Sequence, residues 1–300
     1  MESQSTLSLT GPRADIEPFA TLFDARFGDE GLPQSMFETE PEAGDASPWC
    51  FSLVVPTEAS DEWIDRLTLL AQEKDIEADV EREDHGEIDW VSMTLRELTP
   101  VRAGRFTVHG SHDAPPHGVS VEVDAGLAFG TGHHGTTAGC LHLLERVVRR
   151  SSPRRILDVG TGSAVLAIAA AKALHRPVLA SDIDRTAVKV ARENVRTNGM
   201  DAFVRCIHAT GFEHPAFSRF GKADLVLANI LAGPLKRLAR PMRDHLAAGA
   251  SVILSGLLPH QAASVIATYR AQDLALERVH LQDGWASLLL RYRTHEKGGA

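Results

Sequence analysis

The sequence predicts an α/β fold: a Rossmann-like domain of seven strands, preceded by a smaller α+β domain of ferredoxin-like type. Three observations predict it. Strand patterns alternate with helix patterns over residues 155–270, which argues for a parallel sheet. A buried strand ending at Asp158-Val159 runs into the glycine turn Gly160-Thr161-Gly162 and then into a helix rich in Ala and Leu. Charge also divides the chain: residues 1–115 hold 25 Asp/Glu against 8 Lys/Arg, net -17, and residues 116–300 hold 15 against 23, net +8. That shift sets a boundary near residue 115, so the two domains are read as 1–115 and 116–300.

In the first domain, Thr6–Leu9 reads as a strand, and Asp15–Phe27 carries the helical stripe Ile16, Phe19, Ala20, Leu22, Phe23 and Phe27. Trp49–Val55 reads as a buried strand stopped by Pro56, and Ser60 starts a helix with Ile64, Leu67, Leu70 and Ala71 on one face. Short strands are expected at Ala78–Val80 and Trp90–Leu95. The Pro- and Gly-rich segment Gly110–Gly118 reads as a linker. It holds His112, Asp113 and His117, with His109 just before it, but a Pro-Pro linker is a poor frame for a metal.

In the second domain, strands are expected at Arg155–Val159, Val178–Asp182, Phe203–Ile207, Asp224–Ala228 and Ser251–Ser255. Helices are expected at Ala164–Leu174, Asp184–Asn198 (closed by Gly199), Pro234–Ala248 and Gln261–Tyr269. Leu274–Leu281 and Trp285–Arg291 flank Asp283-Gly284, a hairpin signal, so the parallel sheet should end in an antiparallel pair.

Composition excludes several classes. The 43% hydrophobic content suits a globular core. The first residues lack the basic and apolar regions of a secretory signal, and no run of about 18 apolar residues occurs. Cys50, Cys140 and Cys206 are too scattered for a disulfide framework or a zinc site, which fits a reducing, cytoplasmic setting. An acidic first domain repels a nucleic-acid backbone and steers a basic partner; a surface kept acidic for solubility is the simpler alternative.

Four positions could carry chemistry. Gly160 and Gly162 let a ligand approach the backbone at a helix N-terminus, which suits a carboxylate as well as a phosphate. The dinucleotide fingerprint needs a glycine where Val165 stands, which disfavours a nicotinamide cofactor. Asp182 ends the next strand and could accept both ribose hydroxyls of an adenosine, or cap the following helix, a task Asp184 is better placed to perform. Asn229 ends the fourth strand, where an amide oxygen could accept from an amine or simply cap a turn.

A further glycine-rich segment, Asp124–Glu145, precedes the ligand-binding strand and could fold over a ligand as a lid. Its Thr136-Thr137 look like N-cap and first-turn residues of a helix. His133 and His134 are adjacent and diverge, a poor metal pair.

The motifs GLAFGTGHHGTT, ILDVGTGSAVLAIAAAK, SDIDRTAVKVARENVRTNG, LVLANILAGPL and ILSGLL, in this order, resemble the ribosomal protein L11 methyltransferase family across most of residues 120–293. The resemblance implies a protein N-methyltransferase that uses S-adenosyl-L-methionine (AdoMet), without a metal. It would act on lysine and N-terminal amino groups of a large-subunit ribosomal protein, which the N-terminal domain would recognise. It implies cofactor contacts from Phe129, Thr131, Thr137, Gly160, Gly162, Asp182 and Asn229, with Asn229 also beside the methyl acceptor. Two departures stand out. Ala164 replaces a common glycine, and Asn229-Ile230-Leu231 lacks the aromatic of the related NPPY pattern, which suits a flexible amine better than a flat base. Methylation of another protein or a small amine, a nicotinamide enzyme and a non-catalytic binding protein are the other readings.

Overall fold

The computed structural model describes residues 4–30, 32, 34–39, 47–76, 79–85, 100–111, 118–123 and 134–293. The chain forms two compact units, Met1–Asp89 and Trp90–Ala300.

The first unit runs β1 (Gln4–Gly11), α1 (Arg13–Phe27), β2 (Gln34–Glu38), β3 (Trp49–Pro56), α2 (Ser60–Gln72) and β4 (Val80–His85). Its sheet has the order β2-β3-β1-β4, antiparallel throughout, which is the ferredoxin-like arrangement the sequence predicts. Alternate residues Leu7 and Leu9 of β1 and Phe51, Leu53 and Val55 of β3 face one core. The α1 stripe Ile16, Phe19 and Phe23 and the α2 stripe Trp63, Leu67 and Leu70 close it. β2 was not expected from the sequence, and β4 starts where the expected strand Ala78–Val80 ends. The expected strand Trp90–Leu95 lies outside the described residues.

The second unit opens with β5 (Val101–Ala103), β6 (Phe106–His109) and β7 (Val119–Glu122), a small sheet in that order. Buried Ala103, Phe106, Val121 and Val123 join the core of α3 (His134–Arg150), so these strands belong to the larger unit. The packing boundary therefore falls at 89/90, ahead of the charge shift at 115, because surface charge does not decide which side chains share a core. The expected linker Gly110–Gly118 connects β6 to β7, and residues 112–117 of it lie outside the described residues. His109 is buried, with its ring between the Gly110 carbonyl and the Ser120 hydroxyl.

The free edge of β7 is held by a side chain. The Glu122 N–H donates to Asn198 Oδ1 at 3.0 Å, and Asn198 Nδ2 donates to the Glu122 carbonyl at 2.6 Å, so one amide imitates a neighbouring strand. Lys172 Nζ donates to the Ser120 carbonyl and to Asn198 Oδ1. Replacing Asn198 with Ala strands these groups in a nearly closed site. Urea unfolding should show a loss of about 2 kcal/mol, the usual cost of unpaired buried polar groups; a midpoint shift near zero would mean water replaces the amide.

The rest is β8 (Ile156–Val159), α4 (Val165–Leu174), β9 (Val178–Asp182), α5 (Arg185–Thr197), β10 (Val204–His208), α6 (Pro215–Phe220), β11 (Ala223–Asn229), α7 (Ala232–Arg243), β12 (Leu246–Leu257), α8 (Ala262–Arg270), β13 (Leu274–Gln282) and β14 (Trp285–Tyr292). The seven strands lie in the order β10-β9-β8-β11-β12-β14-β13. The first five are parallel, and the last two form the expected antiparallel hairpin. Its turn has Asp283 and Gly284 at φ 49 and 76, the left-handed pair a two-residue hairpin requires.

Both faces of the sheet are covered, which is why β11 reads as an unbroken apolar run from Leu225 to Ala228. Leu225 and Leu227 meet the α3, α4 and α5 side, and Val226 and Ala228 meet the α6, α7 and α8 side. One helix is shorter than expected: α7 ends at Arg243, and residues from Leu246 pair with Ala223 in the sheet, since burying Leu246 outweighs the helical pattern that ran on to Ala248. Among the described residues, no helix is long and apolar enough to cross a membrane.

Candidate active site

Strand order locates the site. The chain runs from β8 outward to β9 and β10, then returns to place β11 on the other side of β8. At such a switch point the loops after the two central strands diverge and leave a crevice at their carboxyl ends. Gly160 follows β8 and Ile230 follows β11. A Cβ on Gly160 would overlap the Ile230 side chain, and Gly160 sits at φ 72, so glycine is needed twice over where these loops meet.

The turn after β8 is tied to β9. The Gly160 and Thr161 N–H groups both donate to the Ser181 carbonyl at 2.9 Å. The Gly162 N–H donates to Asp182 Oδ2 at 2.8 Å, and the Asp184 N–H donates to Asp182 Oδ1 at 3.0 Å. Asp184 itself caps α5 by accepting from the Thr186 N–H. Thus the capping alternative goes to Asp184, and the Asp182 carboxylate is oriented from two sides with lone pairs to spare. The sequence suggested that the N–H groups of this turn face a ligand; those of Gly160, Thr161 and Gly162 are engaged within the protein instead. Asn194 Nδ2 supports the turn from α5 through the Ser163 carbonyl. Ala164 takes a left-handed φ of 66, which costs an alanine about 1 kcal/mol; its buried methyl in the core offsets part of that.

Beneath the turn lies Asp158, only 1% exposed. Its Oδ2 accepts from Thr161 Oγ1 at 2.6 Å and from the Ala167 N–H at 3.1 Å, while Oδ1 has no partner among the described residues. Burial pushes its pKa up to about 7, with the neighbouring Asp182 charge adding to the effect and the two hydrogen bonds opposing it. An acid whose folded pKa is raised binds its proton more tightly when folded. Its contribution to stability is therefore greatest at low pH and declines as pH rises from the unfolded value towards about 7. Asp158→Asn should remove this decline, because an amide imitates the protonated acid: melting temperatures of the two proteins, measured from pH 5 to 8, should lie closest at the acid end and separate as pH rises, in favour of the variant. Parallel curves would show that Asp158 is ionised throughout.

The other half of the site joins α3 to the strand ends. Asn229 Nδ2 donates to Thr136 Oγ1 at 3.2 Å. Ser255, near the end of β12, donates to the Thr136 carbonyl at 3.3 Å and shares a 2.8 Å hydrogen bond with Ser287 of β14. Thr136 and Thr137 are buried in the first turn of α3, which starts at His134, so neither threonine is its N-cap. Thr136 instead meets Asn229, a contact no sequence pattern indicates.

Of the residues singled out from sequence, Gly160, Gly162 and Asp182 form one cluster, and Asn229 lies beside the helix turn that carries Thr137. Phe129 and Thr131 lie outside the described residues. Sequence reading passed over Ile183, which follows Asp182 and is 67% exposed, an unusual state for isoleucine. The signal was available: an apolar residue directly after the strand-end carboxylate. His142 and His280 approach with ring centroids 5.1 Å apart, but no group of three or more His, Cys, Asp or Glu side chains suited to a metal occurs among the described residues.

The chain is similar to known proteins over most of its length. The family described as Ribosomal protein L11 methyltransferase (PrmA) matches residues 34–293. A ribosomal protein L11 methyltransferase of Bradyrhizobium diazoefficiens is 62% identical over 207 residues, covering 68% of this chain and 70% of that protein. One from Mesorhizobium japonicum is 46% identical over 295 residues, covering 97% of this chain and all of that one. Among solved structures, a ribosomal protein L11 methylase from Lactobacillus delbrueckii subsp. bulgaricus superposes with a TM-score of 0.58 at 29% identity, over 65% of this chain and 99% of that one. With a carboxylate and an amide at the strand ends that flank the switch point and a family match over most of its length, this chain belongs to the ribosomal protein L11 methyltransferase family.

Proposed function

We propose that this protein transfers methyl groups from AdoMet to lysine and N-terminal amino groups of ribosomal protein L11, in the cytoplasm, and that Asp182 and Asn229 divide the work. The observation that carries this reading is their placement: each ends a parallel strand, on either side of the junction where Gly160 meets Ile230.

The residues present fit AdoMet. Asp182 is a carboxylate already oriented by the Gly162 and Asp184 N–H groups, with remaining lone pairs for two ribose hydroxyls. Exposed Ile183 beside it supplies an apolar surface for the adenine. Gly160 lets the β8 turn close against Ile230, which sets the floor between the two strand ends, and Thr137 stands in the helix turn next to Asn229. The roles of Phe129 and Thr131 rest on the family motif alone.

When bound, AdoMet supplies a methyl on a sulfonium centre whose leaving group is a neutral thioether. No acid is therefore needed from the protein. The protein must hold a neutral amine with its lone pair in line, and orientation of this kind supplies on the order of 7 kcal/mol or more. Asn229 suits the task, because an amide oxygen accepts the amine N–H bonds without competing for its lone pair. A free lysine has a pKa near 10.4, so its proton leaves to water or is disfavoured by desolvation at the site.

The first unit is the reading for substrate recognition. Residues 1–89 hold 23 Asp/Glu against 5 Lys/Arg, a charge suited to a basic protein and unsuited to nucleic acid or an anionic membrane. The test uses labelled AdoMet and a bacterial extract lacking such activity, with the full chain and a chain starting at residue 90. The full chain should label L11. The shortened chain should still bind AdoMet by calorimetry yet lose at least tenfold in labelling, as expected when encounter is no longer steered. Label on another protein would discard the substrate, and equal labelling by both chains would discard the role of the first unit.

A further inference from the structure

We propose that Thr136 sets which end of the Asn229 amide meets the acceptor amine, making it a positioning residue for methyl transfer; this rests on the reading of Asn229 as the acceptor-side group. An asparagine amide has one accepting end and one donating end, similar in shape. A neutral amine must keep its lone pair for the incoming methyl, so it has only N–H bonds to offer the protein. Those bonds require Oδ1. With Nδ2 turned forward, the protein would present a donor to the lone pair and compete for it.

The structure assigns the orientation. A hydroxyl can serve either end of an amide; here Asn229 Nδ2 donates to Thr136 Oγ1, and Oδ1 is left for the amine. Thr136 is in turn held firmly: it is 3% exposed, and its carbonyl accepts from Ser255 Oγ. Ser255 is fully buried and bonded to the buried hydroxyl of Ser287. Ser287 reaches this position because residue 139 is glycine; a Cβ there would overlap the Ser287 hydroxyl. Hydrogen bonds therefore run from the Ser287 hydroxyl of β14 through the Ser255 hydroxyl of β12 to the Thr136 carbonyl of α3, and the Thr136 hydroxyl meets the amide at the end of β11. It buries polar groups in a site that could have been apolar, and its terminus is the group facing the acceptor.

The experiment measures transfer from labelled AdoMet to L11 by the parent, Thr136→Val, Thr136→Ser, Asn229→Ala and the double variant Thr136→Val/Asn229→Ala. Valine keeps the shape and removes the hydroxyl. The expected result is a fall of about tenfold to a hundredfold in kcat for Thr136→Val, the size of effect that misplacement of a reacting group produces, with KM for AdoMet little changed. Thr136→Ser should recover most of the loss, and Thr136→Val should cost nothing further in the Asn229→Ala background. If losses multiply in the double variant, or serine fails to rescue, Thr136 does not act through the amide, and the inference falls while Asn229 keeps its role. If Asn229→Ala turns over like the parent, the reading of Asn229 falls and takes this inference with it. Should Thr136→Val melt early, the same cycle is run with Thr136→Ala, which adds no bulk.

Discussion

Methyl transfer by Asn229→Ala is expected to fall by about a hundredfold or more in kcat, the largest effect of any single change considered, with the fold intact. Asn229 is half-buried at the end of β11, and among the described residues its side chain hydrogen-bonds to Thr136. Water can replace that bond at a half-buried strand end. What alanine removes is the oxygen that orients the amine. An unoriented amine must find the in-line geometry by chance, and the entropic advantage of positioning is lost. Single-turnover measurement separates this from binding: a lower chemical step with AdoMet affinity near that of the parent is the expected signature. Parental turnover would remove Asn229 from the acceptor side altogether.

Asp182→Ala is expected to weaken AdoMet binding by about a hundredfold, close to 2.7 kcal/mol. Hydrogen bonds to a charged group contribute about 1.5–3 kcal/mol each, and water recovers part of the two that a ribose would make. The change also releases the Gly162 and Asp184 N–H groups, so the glycine turn loses its tie to β9 at that point. Asp182→Asn is not a mild version. One carboxylate oxygen accepts from Gly162 and the other from Asp184, so an amide would turn its NH2 against one of those backbone donors. Titration calorimetry should therefore find both variants weak, with asparagine no better than a fewfold above alanine. Unchanged affinity in Asp182→Ala would end the assignment of ribose to this carboxylate.

Much of the architecture is legible in the residue pattern. The β8 to α4 passage, the exact span of β9, the cap Asp184, the closure of α5 near Gly199 and the Asp283-Gly284 hairpin all follow from local rules: a buried run, a polar cap, and residues that tolerate positive φ. The helix Pro234–Ala248 exceeded its real end because Leu246 continues an apolar helical spacing, and only pairing with Ala223 draws it into a strand. β5, β6 and β7 are short and, among the described residues, form a sheet with one another, so their individual patterns are weak.

The class of the fold, the glycine turn and the strand-end residues Asp182 and Asn229 are legible from residue order, because each depends on periodicity or on neighbours within a few residues. Tertiary structure alone decided what those residues do for one another. Gly160 is required by Ile230, seventy positions later, and Asp182 is aimed by Gly162, twenty earlier. Thr136, read locally as a helix cap, turns out to hold the amide of Asn229 from 93 residues away. Asp158, a plain strand residue in the sequence, becomes a carboxyl that keeps its proton to about pH 7 once the sheet and α4 bury it. The physical reason is common to these cases: hydrogen bonds, steric fit and desolvation act over a few ångströms of space, and only the folded chain says which residues share that space.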